Sequence, residues 1–239
     1  MPTHAIIPVK YLHDSKRRLA HLLSAEARAD LIGRFLDNLV LTLSAAPGID
    51  RTLVVTCDPA VVQLAQRRGA DVLLESAADG LNTAAARGAV HALAGGASAV
   101  LLLPADLPFA RVEDIEAMLR PLEQVPGSRF QVPGKEHPPL ATRHSPLATS
   151  SLEPGTWNLA PILAICPDET EDGTNALLLA PPGDFTFRYG PGSFRAHLAE
   201  AARRGRPAHV VPAPGLRFDL DTESDWLVYN GYLVGVGEE

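Results

Sequence analysis

"AVLLLPADLP", residues 99–108, decides the fold of this chain. Five apolar residues from Ala99 to Leu103 are too short for a helix and show no polar alternation, so they read as a strand buried on both faces. Pro104 stops the strand, and Asp106 stands immediately beyond its end. Residues 111–122, "RVEDIEAMLRPL", then carry helical spacing. A doubly buried strand followed by a helix is the repeating unit of a parallel sheet covered on both faces.

The same unit recurs upstream. "HAIIPVK" (4–10), "RTLVVTCD" (51–58) and "ADVLLES" (70–76) read as strands. Residues 24–48 read as a helix, with Ser24 as N-cap, Glu26 in the first turn, Leu31, Phe35, Leu39 and Leu43 on one face, and Gly48 past its end. "PAVVQLAQRRG" (59–69) and "NTAAARGAVHALAGG" (82–96) are the next two helices. Downstream, strands are expected at "ILAICPDE" (162–169), "NALLLAPP" (175–182), "AHVVPA" (208–213) and "LRFDLD" (216–221), with helices at 192–205 and 223–233. The rhythm breaks at about 123–161, a Pro-, Ser- and His-rich stretch read as an irregular insertion. The expectation is one α/β domain over 1–239, a mostly parallel sheet with helices on both faces.

The bulk properties narrow the function. The chain has 239 residues, 46% of them hydrophobic and only 5% aromatic, so aliphatic side chains fill the core. A net charge of -7 excludes an extended basic surface for nucleic acid, while a local group of cations can still dominate a cleft. Two distant cysteines, Cys57 and Cys166, give neither a disulfide framework nor a zinc site, and Cys57 reads as a small apolar residue. No apolar run approaches the length of a membrane span, and the first ten residues lack a signal peptide's apolar core. The expected setting is reducing and cytoplasmic.

In parallel sheets of this kind, ligands bind beyond the carboxyl ends of the strands. That singles out Pro8, Val9 and Lys10; Cys57 and Asp58; Asp79, Gly80, Leu81 and Asn82; and Pro104 to Asp106. Asp106 suits a ligand for Mg²⁺, which takes one or two carboxylates plus phosphate oxygens, and equally suits a turn before a helix. In "FDLDTESD", one of Asp219 and Asp221 is expected to face a cleft while the other is solvated or structural, with Thr222 and Asp225 forming a capping-box-like start to the last helix. Lys10, Lys16, Arg17 and Arg18 follow the first strand and read as a triphosphate cradle or as a solvated basic loop. Asn82 reads as a reader of a nucleoside edge or as an N-cap. Two further loops, "EDGTNALLLAPP" (171–182) and "FRYGPGSFRAHL" (187–198), offer hydroxyls, glycines and backbone donors beside strands, with Arg188 and Arg195 nearby, which suits a small phosphate or carboxylate ligand. His137 and His144 are read as exposed residues of the irregular stretch, and Trp226, Tyr229 and Tyr232 as packing of the last helix or a contact in a homodimer. No P-loop or dinucleotide glycine pattern occurs.

Taken in order, "IIPVK…SKRRLA", "DGLNTAA", "LLLPADLP", "DGTNALLLAPP", "FRYGPGSFRAHL" and "GLRFDLDTESD" resemble the 2-phospho-L-lactate guanylyltransferase family, whose bacterial members include phosphoenolpyruvate guanylyltransferases. The resemblance spans nearly the whole chain outside 123–161. It implies a Rossmann-like nucleotide-diphospho-sugar-transferase fold and Mg²⁺-dependent transfer of GMP from GTP to a small phosphorylated three-carbon acid, in biosynthesis of the deazaflavin coenzyme F-420. By motif match, Asp106 and Asp221 would hold the metal, with Asp219 a weaker candidate. Lys16 would meet the GTP phosphates, with Pro8, Val9, Lys10, Arg18 and Pro104 around the nucleotide and the Asp79–Asn82 turn on the nucleoside. Thr174, Gly190 and Ser193 would bind the three-carbon acid. Lys16 and Asp106 are the residues expected to carry catalysis. The alternatives are another nucleotidyltransferase of this fold, acting on a molybdopterin or a sugar phosphate, and a non-catalytic nucleotide-binding protein.

Overall fold

The computed structural model describes residues 1–123 and 160–236. The irregular stretch singled out above, with His137 and His144, lies almost wholly outside them. Among the described residues, strands β1 (Thr3–Val9), β2 (Arg51–Thr56), β3 (Asp71–Leu74), β4 (Ala99–Leu102), β5 (Ile162–Pro167), β6 (Thr174–Ala180) and β7 (Ala208–Val210) form one sheet in the order β3-β2-β1-β4-β6-β5-β7. β1 pairs in parallel with both β2 and β4, and β2 pairs in parallel with β3. Only β6 runs against its neighbours, β4 and β5.

β4 and β6 are buried along their full length, and β1 at every residue but Pro8. That burial on both faces is the reason β4, the middle of β1 and β6 from Ala176 onward read as apolar runs. Helices α1 (Ala25–Ala45), α2 (Pro59–Arg67) and α4 (Val112–Glu123) cover one face. α3 (Leu81–Ala94) and α5 (Ser193–Arg203) cover the other. Consecutive residues of β1 divide between the two layers, Ile7 packing with Phe35 and Leu39 of α1 and Ile6 with Ala85 and Ala89 of α3. α3 lies so close to the sheet that a Cβ on Gly88 would stand 2.7 Å from Ile6 Cγ2 and 3.1 Å from Val55 Cγ2. The alanine-rich sequence of α3 follows from that close approach.

The helix starts match the sequence signals. Ser24 Oγ accepts the Ala27 N–H at the head of α1, and Asp58 Oδ1 accepts the Ala60 N–H at the head of α2.

One expected strand is absent. "LRFDLD" is not part of the sheet: a single helical turn, α6 (Pro214–Arg217), is followed by an extended segment tied to the β4 end by one backbone bond, Leu220 N–H to Asp106 O, 3.3 Å. The alternation of apolar and polar residues is real, but it lays Phe218 and Leu220 into the core rather than into a ladder. α7 (Glu223–Val236) then begins with a reciprocal cap. Asp225 Oδ2 accepts the N–H groups of Thr222 (2.6 Å) and Asp221 (2.9 Å), and Thr222 Oγ1 accepts the N–H of Asp225 (3.3 Å). Tyr229 packs edge-on against Phe35 and, with Tyr232, against Phe109. No helix among the described residues is long and apolar enough to cross a membrane.

Candidate active site

The chain winds one way from β1 to β3 and then returns to place β4 on the other side of β1. The carboxyl ends of β1 and β4 therefore diverge, leaving a crevice where open α/β sheets take their ligands. A cleft of about 420 Å³ lies there. Pro8, Val9, Lys10, Lys16, Arg18, Gly80, Leu81, Pro104, Asp106 and Asp221 all line it.

Lys16 is the centre of this cleft. Its Nζ donates to Asp106 Oδ2 at 2.5 Å and to Asp221 Oδ1 at 3.1 Å. Its side chain is only 5% exposed. Burial works against its charge, but Asp106 and then Asp221 outweigh that cost and hold the ammonium above the ordinary lysine range. The backbone of Lys16 is left-handed (φ 51°), a conformation that non-glycine residues rarely hold unless surrounding contacts impose it. Two such contacts are visible. Asp58 Oδ2 accepts the Leu12 N–H at 2.8 Å, and the buried Arg28 donates to the Ser15 carbonyl at 2.7 Å. The loop after β1 is thus clamped at Leu12 and at Ser15, both just ahead of Lys16. Arg18 reaches the other oxygen of Asp221 at 2.8 Å.

Asp221 lines the cleft while Asp219, outside its lining, is held by Asn175, which is the expected division into a cleft carboxylate and a structural one, although both lie on one side of the segment. In an extended segment, residues two apart share a side, and here the intervening Leu220 takes the core side. Asp219 accepts a hydrogen bond from Asn175 Nδ2 (3.2 Å), which also donates to the Arg217 carbonyl (3.1 Å). Burial first, and then the charge of Asp106, push the Asp219 carboxyl up to about 6. Asp106 Oδ1 is buried and has no hydrogen-bond partner among the described residues.

The turn before α3 has a different construction from the one expected. Gly80, with φ 94°, is the cap residue, and Asn82 stands one residue inside the helix. Arg87 ties Glu75 and Asp79 together at 2.7 Å each, so the Asp79 carboxylate shapes the turn. The Asn82 carboxamide is taken by Tyr189: Oδ1 accepts the Tyr189 N–H at 2.6 Å, and Nδ2 donates to the Tyr189 carbonyl at 3.1 Å. Asp79 and Asn82 do not line the cleft; Gly80 and Leu81, between them, do.

The two small-residue loops meet. Ser193 Oγ donates to Thr174 Oγ1 (3.3 Å), which lies 3.0 Å from His197 Nδ1. His197 Nε2 accepts the Arg188 N–H at 2.9 Å, which leaves the proton on Nδ1 and makes it the donor to Thr174. Burial, with Arg188 adding to it, drives the His197 pKa down to about 4. Asp172 anchors the second loop, its Oδ2 accepting the Gly192 N–H and its carbonyl the Phe194 N–H. Gly173 is fixed by close approach, because a Cβ there would stand 2.7 Å from Asp168 Oδ2. Gly190, at φ 131°, is exposed on the same loop. Sequence reasoning passed over His197, Asn175 and Arg28. The only signal for them was position: His197 falls four residues after Ser193 on one helical face, and Asn175 directly follows Thr174.

Comparison with solved structures shows the fold. A Desulfovibrio desulfuricans protein described as a nucleotide-diphospho-sugar transferase superposes with a TM-score of 0.64 at 14% identity, over 96% of this chain and 87% of its own. A nucleotidyl transferase from Methanothermobacter thermautotroptrophicus gives 0.58 at 14% identity, over 98% of this chain and 99% of its own. The fold is that of the nucleotidyltransferases.

Sequence comparison gives the family. Residues 3–125 match the family model described as "Guanylyl transferase CofC like". A phosphoenolpyruvate guanylyltransferase of Rubrobacter xylanophilus is 38% identical over 94% of this chain and 92% of its own length. One from Sphaerobacter thermophilus is 33% identical over 94% and 91%. The chain belongs to the CofC-like guanylyl transferase family and is a nucleotidyltransferase of the guanylyltransferase type.

Proposed function

We propose that this chain transfers GMP from GTP to the phosphate of a three-carbon phospho acid, phosphoenolpyruvate or 2-phospho-L-lactate, with release of pyrophosphate, as a step toward coenzyme F-420. One observation carries the reading. A buried ammonium, Lys16, stands between Asp106, just past β4, and Asp221, on the extended segment before α7, in a nucleotide-sized cleft, and Asn175, beside the hydroxyl pair Thr174–Ser193, holds Asp219 on that same segment. The two relatives described as phosphoenolpyruvate guanylyltransferases support a three-carbon phospho acid, phosphoenolpyruvate in particular, as the acceptor.

The residues fit a magnesium ion that arrives with its nucleotide. No group of three or more His, Cys, Asp and Glu side chains suited to a metal occurs among the described residues, but Mg²⁺ needs only one or two carboxylates when phosphates supply the rest. Asp106 Oδ1, buried without a partner, has a free lone pair for it. Asp106 and Asp221 would hold the ion, and when bound it neutralises charge on the phosphates.

The chain's own groups do the positioning. Gly80 and Leu81 would meet the nucleoside. Lys16 would exchange a carboxylate for a phosphate oxygen, with Lys10 and Arg18 alongside. Thr174, Gly190 and Ser193 would hold the acceptor. A phosphate oxygen of the acceptor attacks the α-phosphorus of GTP. The bond from that phosphorus to the bridging oxygen breaks, and pyrophosphate leaves with the electron pair. The nucleophile is already an anion, so no general base is needed, and rate comes from alignment and charge neutralisation.

The test is pyrophosphate release with GTP, Mg²⁺ and each of phosphoenolpyruvate, 2-phospho-L-lactate and 3-phosphoglycerate, with ATP and CTP as controls. Release with GTP and one of the first two acceptors is expected. Equal release with CTP, or none with any three-carbon acid, would overturn the reading.

A further inference from the structure

The segment from Thr186 to Gly190 belongs to no sheet, yet its backbone is pinned at nearly every residue. Glu200 Oε1 accepts the Thr186 N–H at 3.2 Å, and His197 Nε2 accepts the Arg188 N–H at 2.9 Å. Both pins come from one buried face of α5, which also carries Ser193. The Ser193 N–H holds the Gly190 carbonyl at 3.0 Å, and a further side-chain pin comes from elsewhere in the chain. Asn82, 107 positions away on the first turn of α3, binds both the N–H and the carbonyl of Tyr189, as a neighbouring strand would. Asn82 is therefore the side chain that joins the turn lining the nucleotide cleft to the loop carrying Gly190.

We infer that Asn82 is a positioning residue that couples the two substrates: closing the Gly80–Leu81 turn on the nucleotide sets Tyr189 and Gly190 for the acceptor. The inference rests on the reading of the two sites given above, and adds to it that the sites communicate through one carboxamide. A carboxamide with both ends engaged has little left for a purine edge. The side chain is exposed, so removing it leaves no buried hole and the variant folds. By linkage, nucleotide must tighten acceptor binding by the same factor as acceptor tightens nucleotide.

Titration of the wild type, Asn82→Ala and Asn82→Asp with the non-transferable α,β-methylene analogue of GTP, with and without phosphoenolpyruvate or 2-phospho-L-lactate, tests this. In the wild type the analogue should bind several-fold tighter with acceptor present. In Asn82→Ala the analogue alone should bind as before, the enhancement should vanish, and the acceptor KM should rise about tenfold with GTP saturating. Asn82→Asp keeps the acceptor for the Tyr189 N–H and should fall between. Weakened binding of the analogue alone, with an unchanged acceptor KM, would show that Asn82 reads the nucleoside and would overturn the coupling. If wild-type protein turns over neither acceptor, the functional reading fails, and amide exchange decides the coupling separately. The analogue should then slow exchange at 188–190 in the wild type and not in Asn82→Ala, and no slowing in the wild type would refute it.

Discussion

Lys16 and Asp106 lie ninety positions apart in sequence and 2.5 Å apart in space, and the second oxygen of Asp106 is buried with nothing to bond among the described residues. A buried carboxylate oxygen without a partner costs stability. Asp106→Ala should accordingly lower kcat by at least about 100-fold, the scale of losing one preorganised electrostatic group. Its unfolding free energy should fall by about 1–3 kcal/mol, because the buried Lys16 ammonium loses the stronger of its two carboxylate partners. Pyrophosphate release and urea unfolding on the same protein check both halves, and a variant that keeps near-normal turnover would remove Asp106 from the reaction.

Arg18 differs from Lys16 in exposure. Its side chain is 73% exposed and its ion pair with Asp221 is open to solvent. Such pairs contribute about 0–1 kcal/mol. Arg18→Ala should leave the melting temperature unchanged, raise the KM for GTP several-fold, and flatten the dependence of that KM on salt. An unchanged KM for GTP at low salt would place Arg18 outside the phosphate cradle.

His197 gives the stability a pH signature. Its pKa of about 4 lies below the ordinary 6.5, so its contribution is fully present above about pH 6.5 and is lost as pH falls toward 4. Across that window the wild type should lose up to about 3 kcal/mol relative to His197→Gln, which does not titrate there. The variant itself should be less stable at pH 7 by about 1–3 kcal/mol, having lost the bonds to Thr174 and Arg188. Parallel stability curves for the two proteins from pH 7 to 4.5 would contradict the buried neutral imidazole.

Asp219 acts in the opposite sense. Its carboxyl stands at about 6 against an ordinary 3.8, so its contribution is present below pH 3.8 and is lost as pH rises through 6. Asp219→Asn keeps an oxygen for Asn175 and should be more stable than wild type at pH 8 by about 2 kcal/mol, with the gain gone at pH 4. Denaturant titrations at the two pH values decide it.

Gly173→Ala would drive a Cβ to within 2.7 Å of Asp168 Oδ2, the same oxygen that accepts the Gly173 N–H at 2.8 Å. The carboxylate cannot move without giving up that bond, so the cost should be about 1–3 kcal/mol. Because Thr174 is the next residue, the acceptor KM should rise while the KM for GTP does not. Equal loss for both substrates would mean that the turn supports the sheet rather than one loop.

What the sequence showed plainly was what local chemistry controls. Doubly buried runs such as 99–102 and 176–180 have no polar residue to disguise them, and Ser24, Asp58 and Thr222 cap helices through contacts within a few residues. Asp106 was legible as a residue of the cleft because it lies just beyond the carboxyl end of a buried strand. "LRFDLD" failed because alternation reports one buried side and says nothing of ladder partners; the backbone went to a single turn and one bond to Asp106. Asn82 and His197 were opaque for a related reason. Their partners, Tyr189 and Thr174, are 107 and 23 positions away, and an asparagine at a helix start looks the same whether it caps or clasps.

The reversed direction of β6 has a geometric result. Thr174 opens this seven-residue strand, and Leu177 sits opposite Leu102 at the end of β4. Run parallel to β4, the same residues would put Thr174 at the far edge of the sheet, about 20 Å from the cleft. Strand polarity thus decides which end of the run faces the cleft side, and it sets Asn175, directly after Thr174, within hydrogen-bond reach of the Asp219 carboxylate.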